Sequence, residues 1–534
     1  MPHFSVLSPS FRRCFLALLG VAASSCARAH YFQADARTGP GSTLALPAAA
    51  DSVRATAGRQ YNRHSGLYCF FLGRHYRRVW AAPVTAPVLY LATAEPGGLT
   101  PGKAGGGYQS ISMTLDGPEK RVYALRALEK DPYKTLPLVL RHTFVLNVVS
   151  DATSAATPYG ALTVPPLAQA AGVPHTRPRL VYVRPDATDL GTMSGRFQGK
   201  LALLEEKYDA PASRTPDLAG ASDFLGGEKM LRNVYTHPSY AIDQRAFLRT
   251  RLLDVWLGDW DRHEGQWSWA EFKEPGGRVR YQGIPKDRDQ VYFRFDDGLI
   301  PWLAARIAPQ FQTFRAKYNS TAGLVKQARF IDQRGLSQMT RADFQRMAHD
   351  LQRRLPDSVI MRALHRLPPA VFALENARLN TALRARRETL PQAAEEFYRT
   401  LVRKPNVGGT AQAERFVVQR YPDSTTVRVF WAALDQLTPG DSLRFQRTYF
   451  TAETQELTLD GLGGDDVFDV TTTGAGRPMR LLLYGGLGHD QLRLHGGGQR
   501  LQLFDEASDM TAAGARRPYL PKKKHRAYDR LNDD

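Results

Sequence analysis

The chain has 534 residues, 43% hydrophobic and 23% charged, which excludes a disordered or fibrous protein and is too long for one core, so two to four domains are expected. Lys and Arg number 71 against 52 Asp and Glu, a formal charge of +19 that favours anionic partners: phosphates, nucleic acid or an anionic membrane face. The basic residues are scattered, which argues against a nucleic-acid footprint, although a basic tail, "RRPYLPKKKHR", closes the chain at 516–526.

In chain order, residues 1–29 carry two arginines, a short apolar run and small residues ending in Ala27-Arg28-Ala29, the layout of a secretory signal peptide. Export to the periplasm, outer-membrane surface or exterior is expected, with cleavage near Ala29. Lipid attachment at Cys26 is the second-ranked alternative. Cleavage leaves only Cys69 of the three cysteines, which excludes an intramolecular disulfide framework. Residues 30–96 read as a loose leader and N-terminal extension.

From 97 to 210 strands dominate. Gly105, Gly106 and Gly107 precede "SISMTL" (110–115), Asp116-Gly117-Pro118 supplies a turn, and "RVYALRAL" (121–128) alternates again, so a β-hairpin led in by glycines is expected. "GKLALLEEKYD" (199–209) is a further strand. Residues 211–402 change to helical periodicity. In "DQRAFLRTRLLDVWLG", Leu248, Leu252 and Val255 share a face, with Asp243 as N-cap and Gly258 as stop. That helix feeds "GDWDRHEGQWSW" (258–269), where Asp261, Arg262, His263 and Gln266 sit among Trp260, Trp267 and Trp269. "GRVRYQGIPKDRDQVYF" (277–293) then places Asp287 and Asp289 at a strand end. A separate β domain spans 410–506, followed by the tail 507–534.

The order of these parts matches what phosphoryl transfer requires: a glycine-rich cover, a strand-borne cation, a carboxylate to orient a hydroxyl, and an amide plus carboxylates as hard oxygen donors for Mg²⁺. Gly105–Gly107 are the candidate cover, and Arg126 occupies the strand position of a V-A-I-K-type lysine. Asp261 opens a D-x-x-x-x-Q spacing with Gln266, and Asp287 and Asp289 follow as metal carboxylates. Each piece alone has a plain reading: a flexible loop, an exposed arginine, a solvated turn.

"GDWDRHEGQW" followed by "GIPKDRDQVYF" resembles the spore-coat CotH-type atypical protein kinases, which carry N-x-D-R-x-x-N and then P-W-D-x-D-x-x-F-G. The loop also resembles HipA-like and Fam20-like kinases. "RVYALRALEKDP", "GRFQGKLALLEEKYD" and "RARRETL" are similar to further CotH segments, so the resemblance covers about 97–390. It implies an α+β, two-lobed protein-kinase-like domain, with a β-rich N-lobe (97–210) and a helical C-lobe (211–402), ahead of a small all-β domain.

The resemblance also implies ATP and Mg²⁺ or Mn²⁺ as cofactors, and transfer to a protein or small-molecule hydroxyl. Asp261 would be the catalytic-loop aspartate with Arg262 and His263 beside it. Gln266, Asp287 and Asp289 would hold metal, and Arg126 would pair with phosphate. Glu205 or Glu206 would lie at the nucleotide hinge. Arginine for lysine and glutamine for asparagine depart from the family pattern. The wider chain also resembles bacterial envelope proteins in which this block accompanies a metallophosphoesterase module or an outer-membrane β-barrel. Two alternatives stand beside a kinase: an inactive kinase-like module binding an envelope partner, and a metal-dependent phosphoesterase using Asp254, Asp259, Asp261, His263, Asp287 and Asp289.

In the last domain, "GGLGHDQLR" (485–493) fits the G-G-x-G-x-D-x-U-x repeat of calcium β-rolls, and "DGLGGDDVF" (460–468) is an imperfect copy. Asp465 and Asp490 are the candidate calcium carboxylates. Two copies are too few for a roll, so a β-sandwich or short solenoid with glycine turns is the expectation, with calcium as the alternative.

Overall fold

The computed structural model describes residues 31–105, 110–213, 215–431, 443–504 and 511–513, a mixed α+β chain. The segment read as a signal peptide, with Cys26, together with Gly106, Gly107 and most of the tail, lies outside the described residues. Among the described residues no helix is long and apolar enough to cross a membrane.

The segment expected as a loose leader is packed. Strands β1 (Ser52–Ala55) and β2 (Val84–Pro87) pair antiparallel. Ala55, Tyr61 and Trp80 join the main core. Arg77 reaches the helix Phe144–Ala152 through a bidentate pair to Asp151 at 2.6 and 2.5 Å. A composition rich in Ala, Gly, Thr and Ser suggested a loose segment, but small residues also allow close packing against a sheet.

Five antiparallel strands follow: β3 (Thr100–Gly105), β4 (Ser110–Asp116), β5 (Val122–Lys130), β6 (Arg179–Tyr182) and β7 (Leu201–Lys207), ordered β3-β4-β5-β7-β6. Side chains alternate across the sheet. Met113, Leu115, Leu125, Ala202 and Leu204 fill a core on one face. Arg126 and Lys130 share the opposite face of β5, which fronts a cleft.

A second sheet is formed by β8 (Asp223–Gly226), β9 (Tyr240–Ile242), β10 (Trp267–Glu274) and β11 (Arg278–Pro285) in the order β8-β10-β11-β9. The helix Gln244–Leu257 starts where the Asp243 carboxylate accepts the Ala246 N–H at 2.9 Å. It ends at Gly258 with φ 70°, where a Cβ would fall 2.9 Å from the Phe314 ring. Leu248, Leu252 and Val255 are buried as expected. The opposite face is buried too, because Arg251 and Asp254 are paired inside the protein. The helices Arg341–Arg354, Pro369–Glu388 and Leu390–Val402 pack round it, and Arg386 on the second of these donates to the Trp256 and Val255 carbonyls.

The C-terminal domain is a parallel two-sheet solenoid. Strands β12 (Asn406–Gly408), β16 (Glu456–Asp460), β18 (Arg480–Tyr484) and β20 (Leu501–Phe504) stack in one sheet. Strands β13 (Glu414–Arg420), β17 (Val467–Thr472), β19 (Gln491–His495) and β21 (Thr511–Ala513) stack in the other. The latter is extended by antiparallel β14 (Ser424–Trp431) and β15 (Leu443–Phe450). Strand β21 carries the solenoid beyond 506 into the segment read as tail. The two glycine motifs are turns of successive coils, with Leu457 opposite Leu481 and Val467 opposite Gln491.

Candidate functional site

Three segments meet on the cleft face of β5. Hairpin register brings two of them together: Trp267 pairs with Pro285, so the loop before β10 and the segment after β11 lie side by side. The Lys286 N–H donates to the Gln266 carbonyl at 3.0 Å. Arg262 locks the junction. It is fully buried, and its guanidinium donates to the Lys286 and Asp287 carbonyls, the second at 2.6 Å, and to the Asp259 carboxylate. Asp287 takes φ 51°, a left-handed conformation uncommon for a non-glycine residue, held here by that clamp. Trp267 and Trp269 are fully buried against Phe247, and Trp260 packs edge-on to Phe311. The tryptophans therefore wall the loop.

The third segment is β5. Lys130 forms an ion pair with Asp289, and Arg126 forms one with Glu205 on β7. Both pairs line a cavity of about 50 Å³ together with Ser110 and Asp287. Burial disfavours the Lys130 ammonium, but Asp289, Asp287 and Asp261 outweigh it and hold its pKa above the ordinary lysine range. Four groups predicted or found at this site thus act on one another. Asp289 is pushed up to about 6 by burial and by the Asp287 charge. Asp287 is also opposed by burial, yet Arg126, Lys130 and Arg262 hold it below the usual carboxylate range.

The remaining candidates separate by role. Asp261 is half-buried, and among the described residues no hydrogen bond or ion pair engages its carboxylate. Gln266 is half-buried beside Lys286. His263 is exposed, and its Nδ1 accepts the Gly265 N–H at 3.1 Å, so it caps the short turn Glu264–Gln266. Arg262 is a positioning residue. Gly105 pairs with Ser112 at the hairpin edge. Glu205, expected at a nucleotide hinge, instead accepts from Arg126 and from Thr176 Oγ1 at 2.6 Å, with its side chain in the cleft. Glu206 pairs with Arg121 at 3.6 Å. Arg126, expected to pair with phosphate, is already engaged by Glu205. Lys130, two strand repeats further along the same face, is the cation next to the aspartates. The alternation 126, 128, 130 carried that signal.

Asp254 and Asp259 stand apart from the cleft. Both are buried and bound by arginines: Arg251 to Asp254 at 2.8 Å, Arg288 to Asp259 at 3.0 Å, and Arg288 also to Asp254. Arg251 continues to Asp332 at 2.6 and 3.0 Å. Carboxylates so neutralised are not open metal ligands.

Among the described residues, no group of three or more His, Cys, Asp or Glu is gathered to hold a metal ion. Asp287 and Asp289 both line the cleft, Asp289 in its ion pair with Lys130. In the solenoid Asp465 is exposed and accepts the His489 N–H at 2.9 Å. Asp490 is buried and accepts the Asp466 N–H at 2.9 Å, so the two proposed calcium carboxylates face different environments. The structural repeat aligns Asp466 with Asp490, which the imperfect copy obscured.

No protein-family model matches the chain, and no curated protein matches it. Among solved structures it is similar to a Helicobacter pylori proinflammatory kinase, CtkA, at 11% identity and a TM-score of 0.30, over 56% of this chain and 95% of that one. A likeness that slight says nothing of activity.

Proposed function

We propose that the chain is an exported phosphotransferase of two-lobed, kinase-like layout, moving a phosphoryl group from ATP to a protein or small-molecule hydroxyl. The observation that carries this reading is the convergence of Asp261, Asp287 and Asp289 on Lys130, between a glycine-led hairpin sheet and a helix-fed loop. In this reading the unengaged Asp261 carboxylate orients the attacking hydroxyl. Lys130 exchanges its Asp289 partner for phosphate oxygens, and Asp287 and Asp289 hold Mg²⁺ against the same phosphates. Burial and the Asp287 charge disfavour the ionised Asp289, a cost that a cation bound beside both aspartates would offset.

One observation favours the second reading, a kinase-like module that binds without turnover. The cavity of about 50 Å³, lined by the two ion pairs, is far below the several hundred Å³ a nucleotide needs. The phosphoesterase reading loses support from the arginine-bound Asp254 and Asp259 and the turn-capping His263. The test measures Mg²⁺- or Mn²⁺-dependent ATP binding and autophosphorylation for the parent, Asp261→Ala and Asp287→Ala. Metal-dependent binding with turnover lost in both variants is expected. No metal-dependent binding in the parent would sink the catalytic reading, and binding without turnover would establish the second.

A further inference from the structure

Two short helices, Gly66–Leu72 ("GLYCFFL") and Leu299–Ile307 ("LIPWLAARI"), contain no acidic residue. They lie against each other where Gly73 meets Gly298, an approach so close that a Cβ at 298 would fall 2.2 Å from the Gly73 nitrogen. Of the fifteen large apolar side chains exposed among the described residues, eight belong to these two helices, so exposure is concentrated rather than scattered. Leu67 is 70%, Phe70 61% and Ile307 85% exposed. A contiguous apolar face of this kind marks an interaction surface.

The charge around it selects the partner. Arg306 stacks over the Trp302 ring at 3.8 Å on the exposed side of its helix. Arg63 and Arg74 flank the first helix and are exposed. Among the described residues none of these three arginines is paired with a carboxylate. The nearby acids are spent inward: Asp297 binds Arg294 at 2.8 Å and the His75 N–H at 2.9 Å, and Asp296 binds Arg315 at 3.0 Å. What remains outside is Phe, Trp, Leu and Ile ringed by uncompensated arginines, the composition of helices that lie in a membrane interface rather than cross it.

We propose that this two-helix face docks onto an anionic lipid surface, with Phe70, Trp302 and Ile307 inserted at headgroup depth and Arg306 on lipid phosphate. The proposal is independent of the phosphotransferase reading. The test is co-sedimentation of the full chain with vesicles of equimolar phosphatidylglycerol and phosphatidylcholine, and with phosphatidylcholine alone. Binding is expected to the anionic vesicles and to weaken with added salt. The combined variant Phe70→Ser, Trp302→Ser, Ile307→Ser should lower the bound fraction at least about tenfold. Arg306→Glu should lower it less, and Leu487→Ser, at an exposed solenoid turn, should leave it unchanged. All these chains share one N-terminus, so the difference reports the face itself. Equal sedimentation of parent and combined variant overturns the proposal. So does a shift from dimer to monomer caused by the same substitutions without vesicles, which would assign the face to a second copy of the chain.

Discussion

Two carboxylate clusters lie within one stretch of chain, and they differ in what neutralises them. Inside, Asp254, Asp259 and Asp332 face Arg251, Arg262 and Arg288, three against three, all buried. In the cleft, Lys130 pairs with Asp289, Arg126 and Lys130 both act on Asp287, and Asp261 has no partner of its own among the described residues. The interior set is matched in number and buried away from solvent. The three cleft carboxylates are half-buried, and Asp261 is unpaired among the described residues. Residue type did not distinguish them; partner count and exposure do.

The contrast breaks first at Arg262, which serves both clusters. Arg262→Ala leaves Asp259 short of a buried partner and frees the Lys286 and Asp287 carbonyls. A loss of about 3–5 kcal/mol in denaturant unfolding is expected. A loss under 1 kcal/mol would mean the clamp does not hold the junction. Next comes the choice between cleft cations. If Lys130 meets phosphate, Lys130→Met should lower turnover roughly 10–100-fold, the worth of a charge-assisted contact, with little change in unfolding. Arg126→Met should instead destabilise by about 1–3 kcal/mol, because Glu205 keeps only Thr176 as a partner. The reverse pattern in the two variants would restore Arg126 as the phosphate ligand.

These variants also mark where the sequence was readable. The helix 244–257 was legible to its caps because Asp243 and Gly258 are local chemistry, and β4 and β5 were legible because alternation is local too. Asp261, Asp287 and Asp289 could be named from spacing. Their partners could not, since Lys130 meets Asp289 across 159 residues and Arg126 meets Glu205 across 79. A strand offers several polar positions on one face, and only tertiary placement says which one reaches the site. The packing of residues 31–60, read as a loose leader, was not legible because composition reports solubility and not docking.

The solenoid supplies a third kind of carboxylate, one expected to be neutral. Asp466 is fully buried. Its Oδ1 accepts the Glu414 N–H at 2.8 Å, and its other oxygen abuts Gly461, where a Cβ would sit 2.1 Å away. Burial and the charges of Glu414 and Asp490 push it up to about 10. A folded pKa raised this far means the folded chain holds its proton more tightly than the unfolded chain. Its contribution is therefore present below about pH 4 and is lost as pH rises towards 10, by at most about 1.4 kcal/mol per unit. Asp466→Asn keeps the acceptor and removes the titration. Relative to the parent it should gain stability steadily as pH rises from 4 to 8, with the gap closing towards pH 4. A gap that does not change with pH would show that Asp466 is ionised in the fold.

The smallest expected effect is also the cleanest separation of the chemistries proposed for the cleft. His263 follows Asp261 and Arg262 directly and would be the one imidazole available to a phosphoesterase. Yet its Nδ1 is spent on the Gly265 N–H, and a Cβ at 265 would fall 2.9 Å from the imidazole Cε1, so the ring is seated over its own turn. As a cap on one exposed turn it is worth about 0.5 kcal/mol or less. His263→Ala should therefore leave metal-dependent nucleotide binding and any phosphoryl transfer within about twofold of the parent. Loss of activity with unchanged unfolding would place the imidazole in the chemistry and move the cleft from transfer towards hydrolysis. Retention confines the reacting groups to Asp261, Lys130 and the two aspartates after β11.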